Sequence, residues 1–215
     1  MFTILIVDDH PLMREGLALI LDTQHDWEVS SMVGSAEEAL ALLPKQSFDL
    51  LVVDISLPNM SGLEFIKQVK SLYPQQKTLV ISRHDEQLYA ERAIRAGAKG
   101  YVMKVEARKV IIEAIRKVLE GGIYISDAIN ERLLQSMING KKSMTQSPLE
   151  VLSDRELEIF EMVGRGIKSS EIAERLFISA KTVESYRTRI KDKLNLHSSA
   201  ELMQHAVQWV ESVKM

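Results

Sequence analysis

Thr3-Ile4-Leu5-Ile6-Val7-Asp8-Asp9-His10 and Asp49-Leu50-Leu51-Val52-Val53-Asp54 decide how this chain is read. Each is a short apolar run that ends abruptly in acid. Neither shows the polar alternation of a half-exposed strand, so both read as strands buried on two faces, the habit of parallel sheets. Residues 27–33, 77–81 and 99–103 supply three more runs of strand length. Between and after them, residues 11–23, 36–43, 62–72, 86–96 and 107–120 carry apolar side chains at helical spacing. Strand then helix, five times over, predicts a doubly wound (βα)5 domain with a parallel sheet and helices on both faces. The expected sheet order is the flavodoxin-like 2-1-3-4-5, in which the first and third strands flank the switch in strand order.

Ligands in such sheets bind outside the carboxyl ends of the strands. Here those ends read Asp8-Asp9, Asp54, Ser82 and Lys104, in chain order. Three crowded carboxylates repel one another, and a divalent cation relieves them. An all-oxygen set of this kind suits Mg²⁺, which keeps several waters and takes one or two carboxylates directly. A carboxylate can also attack phosphorus and form an aspartyl-phosphate. The cation and Lys104 would then offset charge on the phosphoryl oxygens, most of what phosphoryl transfer requires. Ser82 could hydrogen-bond one of those oxygens. An acid at a strand end often does no more than cap the next helix. The weight lies in four strand ends carrying complementary groups.

After residue 122 the strand-like runs stop. Residues 127–139 are spaced as one helix, and the polar string at 140–148 reads as a linker. The chain therefore divides into a first domain at 1–122, a connector at 123–148 and a helical domain at 149–215. Ser153-Asp154-Arg155-Glu156 has the spacing of a capping box, and Ser198-Ser199-Ala200-Glu201 repeats it. Ser179 caps the helix between them. Residues 170–176 and 179–194, separated by a short turn, have helix-turn-helix spacing. On the second helix Val183, Ile190 and Leu194 share one side. Lys181, Glu184, Ser185 and Thr188 share the other, with Arg189 and Lys191 on the flanks. Five basic residues against two acidic ones lie between 180 and 193, whereas the domain as a whole is not basic. Short polar side chains near the helix start, with basic ones around them, suit base edges and phosphates of double-stranded DNA. The alternative is a small four-helix bundle with a solvated charged face.

The first-domain segments Val7-Asp8-Asp9-His10, 53–62 (Val-Asp-Ile-Ser-Leu-Pro-Asn-Met-Ser-Gly), Ile81-Ser82 and Gly100-Tyr101-Val102-Met103-Lys104 resemble the receiver domain of bacterial two-component response regulators. The second domain resembles the LuxR-type helix-turn-helix domain. There the matching segments are Leu152-Ser153-Asp154-Arg155-Glu156, Gly166, Glu171-Ile172-Ala173, Ser179-Ala180-Lys181-Thr182-Val183 and Lys193-Leu194. Together they are similar to the NarL/FixJ subfamily. The resemblance implies that Asp54 accepts phosphate from a sensor histidine kinase. It implies that Asp8, Asp9, Asp54 and the Ser56 backbone carbonyl serve Mg²⁺, with Asp8 acting through water. Lys104 would contact the phosphate, and Ser82 and Tyr101 would be a switch pair. His10 is expected to pack at the first helix start rather than to bind metal, and Arg83 and His84 to lie in a mobile loop. In the second domain the resemblance implies promoter contacts from Lys181, Thr182, Glu184, Ser185, Thr188, Arg189 and Lys191. It also implies a homodimer formed on activation, with contact to RNA polymerase left open. Four positions depart from the pattern. Val105 follows the lysine, Ser169 and Ser170 stand where Asn and Lys are common, and Glu184 stands where several relatives carry Lys.

The last helix, 199–213, carries Leu202, Met203, Val207 and Val210 within an apolar face of roughly 160°. That is wider than the ~100° needed to dock on one core, so part of it is assigned to a second subunit.

Composition narrows the competition. At 46% hydrophobic and 27% charged, the 215 residues can bury a core. The longest apolar run is five residues, far short of the ~20 of a membrane span. The N-terminus lacks the basic start and cleavage site of a secretory signal, so a cytoplasmic, membrane-free bacterial protein is expected. With no cysteine, disulfides, thiolate metal sites and cysteine nucleophiles are excluded. With a net charge of −3, DNA binding has to come from a local patch. No glycine-rich nucleotide motif occurs. A haloacid-dehalogenase-like phosphatase would want an acid where Ser56 stands, so a turnover enzyme is not expected. A receiver acting as a phosphorylation-independent protein-binding module remains the rival.

Overall fold

The computed structural model describes residues 1–138 and 151–213, which divide into two compact units, Met1–Gln135 and Ser136–Met215. The connector string at 140–148 lies outside the described residues. Among the described residues no helix is long and apolar enough to cross a membrane.

The first unit is a five-stranded parallel sheet of β1 (Phe2–Val7), β2 (Trp27–Val33), β3 (Leu50–Val53), β4 (Thr78–Ser82) and β5 (Tyr101–Met103). Its order is β2-β1-β3-β4-β5, as the alternation of runs predicts. Ile4 through Val7 and all of β3 are buried, which is why these segments carry no polar alternation. Side chains alternate across the sheet. Ile4, Ile6, Leu50, Val52, Leu79 and Ile81 pack with Leu17 and Leu21 of α1 (Pro11–Leu21) and with Ile111, Ile115 and Val118 of α5 (Arg108–Leu119). Leu5, Val7, Leu51, Val53 and Val80 are buried on the opposite face. The remaining helices are α2 (Ala36–Leu42), α3 (Gly62–Leu72) and α4 (Glu86–Ala96). Their buried residues include Phe65 and Ile66 of α3 and Tyr89 and Ala93 of α4. Each large apolar side chain removed from water contributes about 1.5–3 kcal/mol.

A further backbone contact sits beside β5. Tyr124 forms a single parallel bridge to Gly100, with the Tyr101 amide donating to the Tyr124 carbonyl at 2.9 Å. A Cβ at Gly100 would lie 2.6 Å from that carbonyl, so the approach needs glycine. Beyond it, α6 runs from Asp127 to Ile138.

The second unit contains α7 (Asp154–Gly164), α8 (Ser169–Arg175), α9 (Ala180–Leu194) and α10 (Ser199–Val213). The Ser153–Glu156 capping box is formed, and the Ser179 side chain caps α9 by accepting from the Thr182 amide. At α10 the pairing differs from a capping box. The Ser198 hydroxyl accepts from the Glu201 amide, but the Glu201 carboxylate takes the His197 amide instead of that of Ser198. A buried Arg155–Glu158 pair at 2.7 Å sits within α7, and Arg155 also donates to the Leu176 carbonyl at the end of α8.

Glu156 ties α7 to α9 by accepting from Lys193 Nζ at 2.6 Å. Burial alone would push this carboxyl up. The hydrogen bonds from Lys193 and Ser153 outweigh it and hold the group below its usual 4.5. A folded-state value below the unfolded one gives stability that is complete above about pH 4.5 and fades as pH falls through the lower folded value. Glu156→Gln is therefore expected to cost about 1–2 kcal/mol at neutral pH. It should also flatten the acid side of the second unit's stability profile, as read by thermal melts across that range.

Gly164 marks the tightest contact in this unit. A Cβ there would lie 2.3 Å from the Ala206 carbonyl oxygen and 2.7 Å from Val210 Cγ2, on α10. Backbone cannot retreat as a flexible side chain can. Gly164→Ala is expected to destabilise the second unit by about 2 kcal/mol, net of alanine's better helix propensity. Calorimetry of the full chain should show the transition of the first unit unmoved.

Candidate functional site

The carboxyl ends of the strands meet as the topology requires. Asp8 and Asp9 follow β1, Asp54 follows β3, Ser82 ends β4 and Lys104 follows β5. Asp54 is 4% exposed. Its Oδ1 accepts from Ser82 Oγ and from the Ile55 amide, both at 2.7 Å. Its Oδ2 accepts from Lys104 Nζ at 2.6 Å. The same ammonium lies 2.6 Å from Asp8 Oδ2. One buried cation thus bridges two buried carboxylates, which is how the fold tolerates them at all.

Asp9 is the less constrained acid. Burial raises its pKa; the neighbouring His10 lowers it, and Asp54 and Asp8 add to the rise. Ligand atoms of Asp8, Asp9, His10 and Asp54 all lie within 4.8 Å of one another. Such a crowd of oxygens, with one acid paying for its own burial, fits a small hard cation. His10 sits at the N-cap of α1, where its amide donates to Asp8 Oδ1, as expected of a residue at the helix start. Its ring also reaches the cluster, with Nδ1 2.5 Å from Asp9 Oδ1.

The β3–α3 loop frames Asp54. Both Leu57 and Gly62 amides donate to the Ile55 carbonyl, and Asn59 turns the chain at φ 57°. Ser61 and Glu64 form a capping box that starts α3. Gly62 is forced by space, since a Cβ would lie 1.9 Å from the Asp54 carbonyl oxygen.

Tyr101 is 1% exposed and donates to the His84 carbonyl at 2.6 Å. Both members of the expected switch pair therefore stand inward, the serine on Asp54 and the ring in the core. His84 lies in the loop between β4 and α4 and makes three contacts there. Besides that carbonyl, its Nε2 is 2.8 Å from Ser56 Oγ and its ring stacks on Tyr89 at 4.4 Å. His84 stands in the loop that the sequence expects, and its contacts to Ser56 and Tyr89 are the part not foreseen. Its position two residues after Ser82 was the available signal. Arg14, which donates to the Asp8 carbonyl, was also missed, because its spacing looks like that of any helix-surface arginine. Val105 is exposed.

In the second unit α9 buries Val183 and Ile190 and leaves Lys181, Glu184, Ser185, Thr188 and Arg189 exposed; Thr182 and Lys191 are half-buried. On α10, Leu202 is 0% exposed and Val210 8%. Those two belong to the core and have little surface to offer a second subunit. The exposed apolar edge is Met203, with Val207 half-buried beside it.

The response regulator receiver domain profile matches residues 4–116, and that of the bacterial regulatory proteins of the luxR family matches residues 150–206. The chain is 36% identical over 209 residues to the oxygen regulatory protein NreC of Staphylococcus carnosus, covering 95% of this chain and 96% of that one. Against NreC of Staphylococcus aureus strain MRSA252 the identity is 35% with the same coverage. Among solved structures, a LuxR-family two-component response regulator from Aurantimonas sp. SI85-9A1 aligns with a TM-score of 0.59 at 28% identity, covering 64% of this chain and 99% of that one. RcsB of Salmonella enterica serovar Typhimurium, bound to promoter rprA with phosphomimetic BeF3−, shares the fold at TM-score 0.63 and 22% identity over 96% of this chain and 98% of that one. Sequence and fold agree over nearly the full length, and the chain belongs to the two-component response regulators with a LuxR-type DNA-binding domain.

Proposed function

We propose that Asp54 accepts a phosphoryl group from a sensor histidine kinase and that this event controls promoter binding by α9. The observation that carries the reading is the grip on Asp54. Ser82 and Lys104 each hold one oxygen of a buried carboxylate, beside two further acids. Asp8, Asp9, Asp54 and the Ser56 carbonyl would hold Mg²⁺, which would supply positive charge opposite the phosphoryl oxygens. Asp9 would then give up its His10 partner. Lys104 would move from carboxylate to phosphoryl oxygen, and the Ser82 hydroxyl would follow, keeping Tyr101 inward. The phosphoryl group ends on the chain's own Asp54 as a signal, so the chain is read as a switch and not as a turnover enzyme. Residues 1–122 form the phosphoacceptor part, 123–148 the connector and 149–215 the DNA-binding part of a cytoplasmic protein. Phosphorylation shifts an existing equilibrium toward a homodimer. That dimer is joined through the Met203 and Val207 edge of α10 and open to contact with RNA polymerase. Incubation with acetyl phosphate and Mg²⁺, followed by peptide mass spectrometry, should find one phosphoryl group on Asp54. An unmodified Asp54 peptide would sink the reading.

The DNA half has its own test. Thr182, Glu184, Ser185 and Thr188 meet base edges, while Lys181, Arg189 and Lys191 meet phosphates. Lys181→Ala and Lys191→Ala should each weaken binding similarly on all sequences. Each should also lower the slope of log affinity against log salt by about one per site. Fluorescence anisotropy at several salt concentrations measures both.

A further inference from the structure

Two of the departures noted in the sequence, Ser169 and Glu184, touch each other. Ser169 opens α8, and its hydroxyl donates to Glu184 Oε1 of α9 at 2.7 Å. The same hydroxyl accepts from Arg187 Nη1 at 2.7 Å, and that guanidinium nitrogen lies 3.4 Å from Glu184 Oε1. Three side chains from two helices close a ring around one carboxylate oxygen. Arg187 is 17% exposed and turned into this ring, so its charge is spent within the protein. Glu184 is 58% exposed, and among the described residues its Oε2 accepts no hydrogen bond.

From this ring we infer that Glu184 selects cytosine at one position of each promoter half-site, with Ser169 and Arg187 as the residues that position it. The inference rests on the reading of α9 as the helix that enters the major groove. An ionised carboxylate only accepts hydrogen bonds. Guanine presents acceptors alone in that groove, and thymine an acceptor and a methyl group. Adenine places its N7 acceptor beside its amine, where a carboxylate is repelled. Cytosine offers its N4 amine without that neighbour. A glutamate free to swing would contribute little discrimination, because ordering it on the DNA costs side-chain entropy. Here one oxygen is already held, and the other, on a side chain 58% exposed, accepts no hydrogen bond among the described residues. The local charge points the same way. With Glu184 facing the groove and Arg187 turned inward, this part of α9 is poorly suited to phosphate and is left to read a base.

The test is selection of bound duplexes from a random pool by the full chain, with and without acetyl phosphate. Wild type should enrich cytosine at one fixed position per half-site. Glu184→Gln should exchange that letter for adenine, since an amide pairs with adenine N6 and N7 together. Glu184→Ala should lose the preference by about fivefold or more, the low end of a single mismatch. Ser169→Ala should keep the letter and weaken its enrichment. If both Glu184 variants enrich the same letters as wild type while Lys181→Ala weakens binding, Glu184 is only a tie between α8 and α9 and the inference falls alone. If Lys181→Ala also changes nothing, α9 does not read DNA and the underlying proposal falls with it.

Discussion

Asp54→Asn is expected to carry no phosphoryl group after treatment with acetyl phosphate and Mg²⁺, and to bind promoter DNA equally with and without the donor. The amide is a far poorer nucleophile than the carboxylate, so the loss of modification should be complete. Wild type should gain affinity by about tenfold on phosphorylation, within the usual range of coupling between sites. The variant should still fold. The asparagine oxygen can accept from Ser82 as Oδ1 does now, at 2.7 Å, and Lys104 keeps its Asp8 partner at 2.6 Å. Removing one of the crowded acids also relieves repulsion in the pocket. Circular dichroism and gel shifts on the same preparation separate folding from switching. If the donor stimulates promoter binding by Asp54→Asn as strongly as by wild type, the phosphoswitch is wrong. The receiver would then act as a protein-binding module.

Gly62→Ala is expected to be the most damaging single methyl group in the first unit. Its Cβ would fall 1.9 Å from the Asp54 carbonyl oxygen and 2.9 Å from Ile55 Cα. Both are backbone atoms, held from β3 through a loop that is itself hydrogen-bonded shut. Relief requires moving α3 or the loop, and either displaces Asp54 from Ser82 and Lys104. The expected cost is about 3 kcal/mol or more, at the upper end for overpacking. Phosphoryl uptake should fall with it even at temperatures where the unit remains folded. Denaturant melts of the full chain should show the first unit's transition lowered and that of the second unit unchanged. A variant with wild-type stability and wild-type modification would show that the loop has slack that this geometry denies.

Much of this was legible in the sequence for physical reasons. A strand buried on both faces has to be apolar at every position, so Leu50–Val53 announced itself as a central strand. Parallel strands have to run the same way, so the groups just after each strand gather at one edge. That is why Asp8, Asp9, Asp54, Ser82 and Lys104 could be named together. Helix starts were legible where a serine and a glutamate stand three apart, as at Ser153 and Glu156. Other features were hidden because no local pattern encodes them. His84 binds Ser56 across 28 residues, and Tyr124 adds a bridge at the sheet edge. The Ser169–Glu184–Arg187 ring joins two helices through side chains that, taken singly, look solvated. On α10 the wheel showed a wide apolar face, but not that Leu202 faces the core and Met203 the solvent.

From the order of its residues alone, this protein was bound to form a parallel sheet with acids, a hydroxyl and an ammonium at one edge, followed by a helix-turn-helix unit. Periodicity and strand polarity are local, and they leave few other arrangements. Which oxygen of Asp54 meets Ser82 and which meets Lys104, where His10 and His84 lean, and how Glu184 is held were decided only by the folded chain. Those contacts depend on rotamers and on distances of a few ångströms between segments far apart in sequence, and packing selects them only once the core has closed.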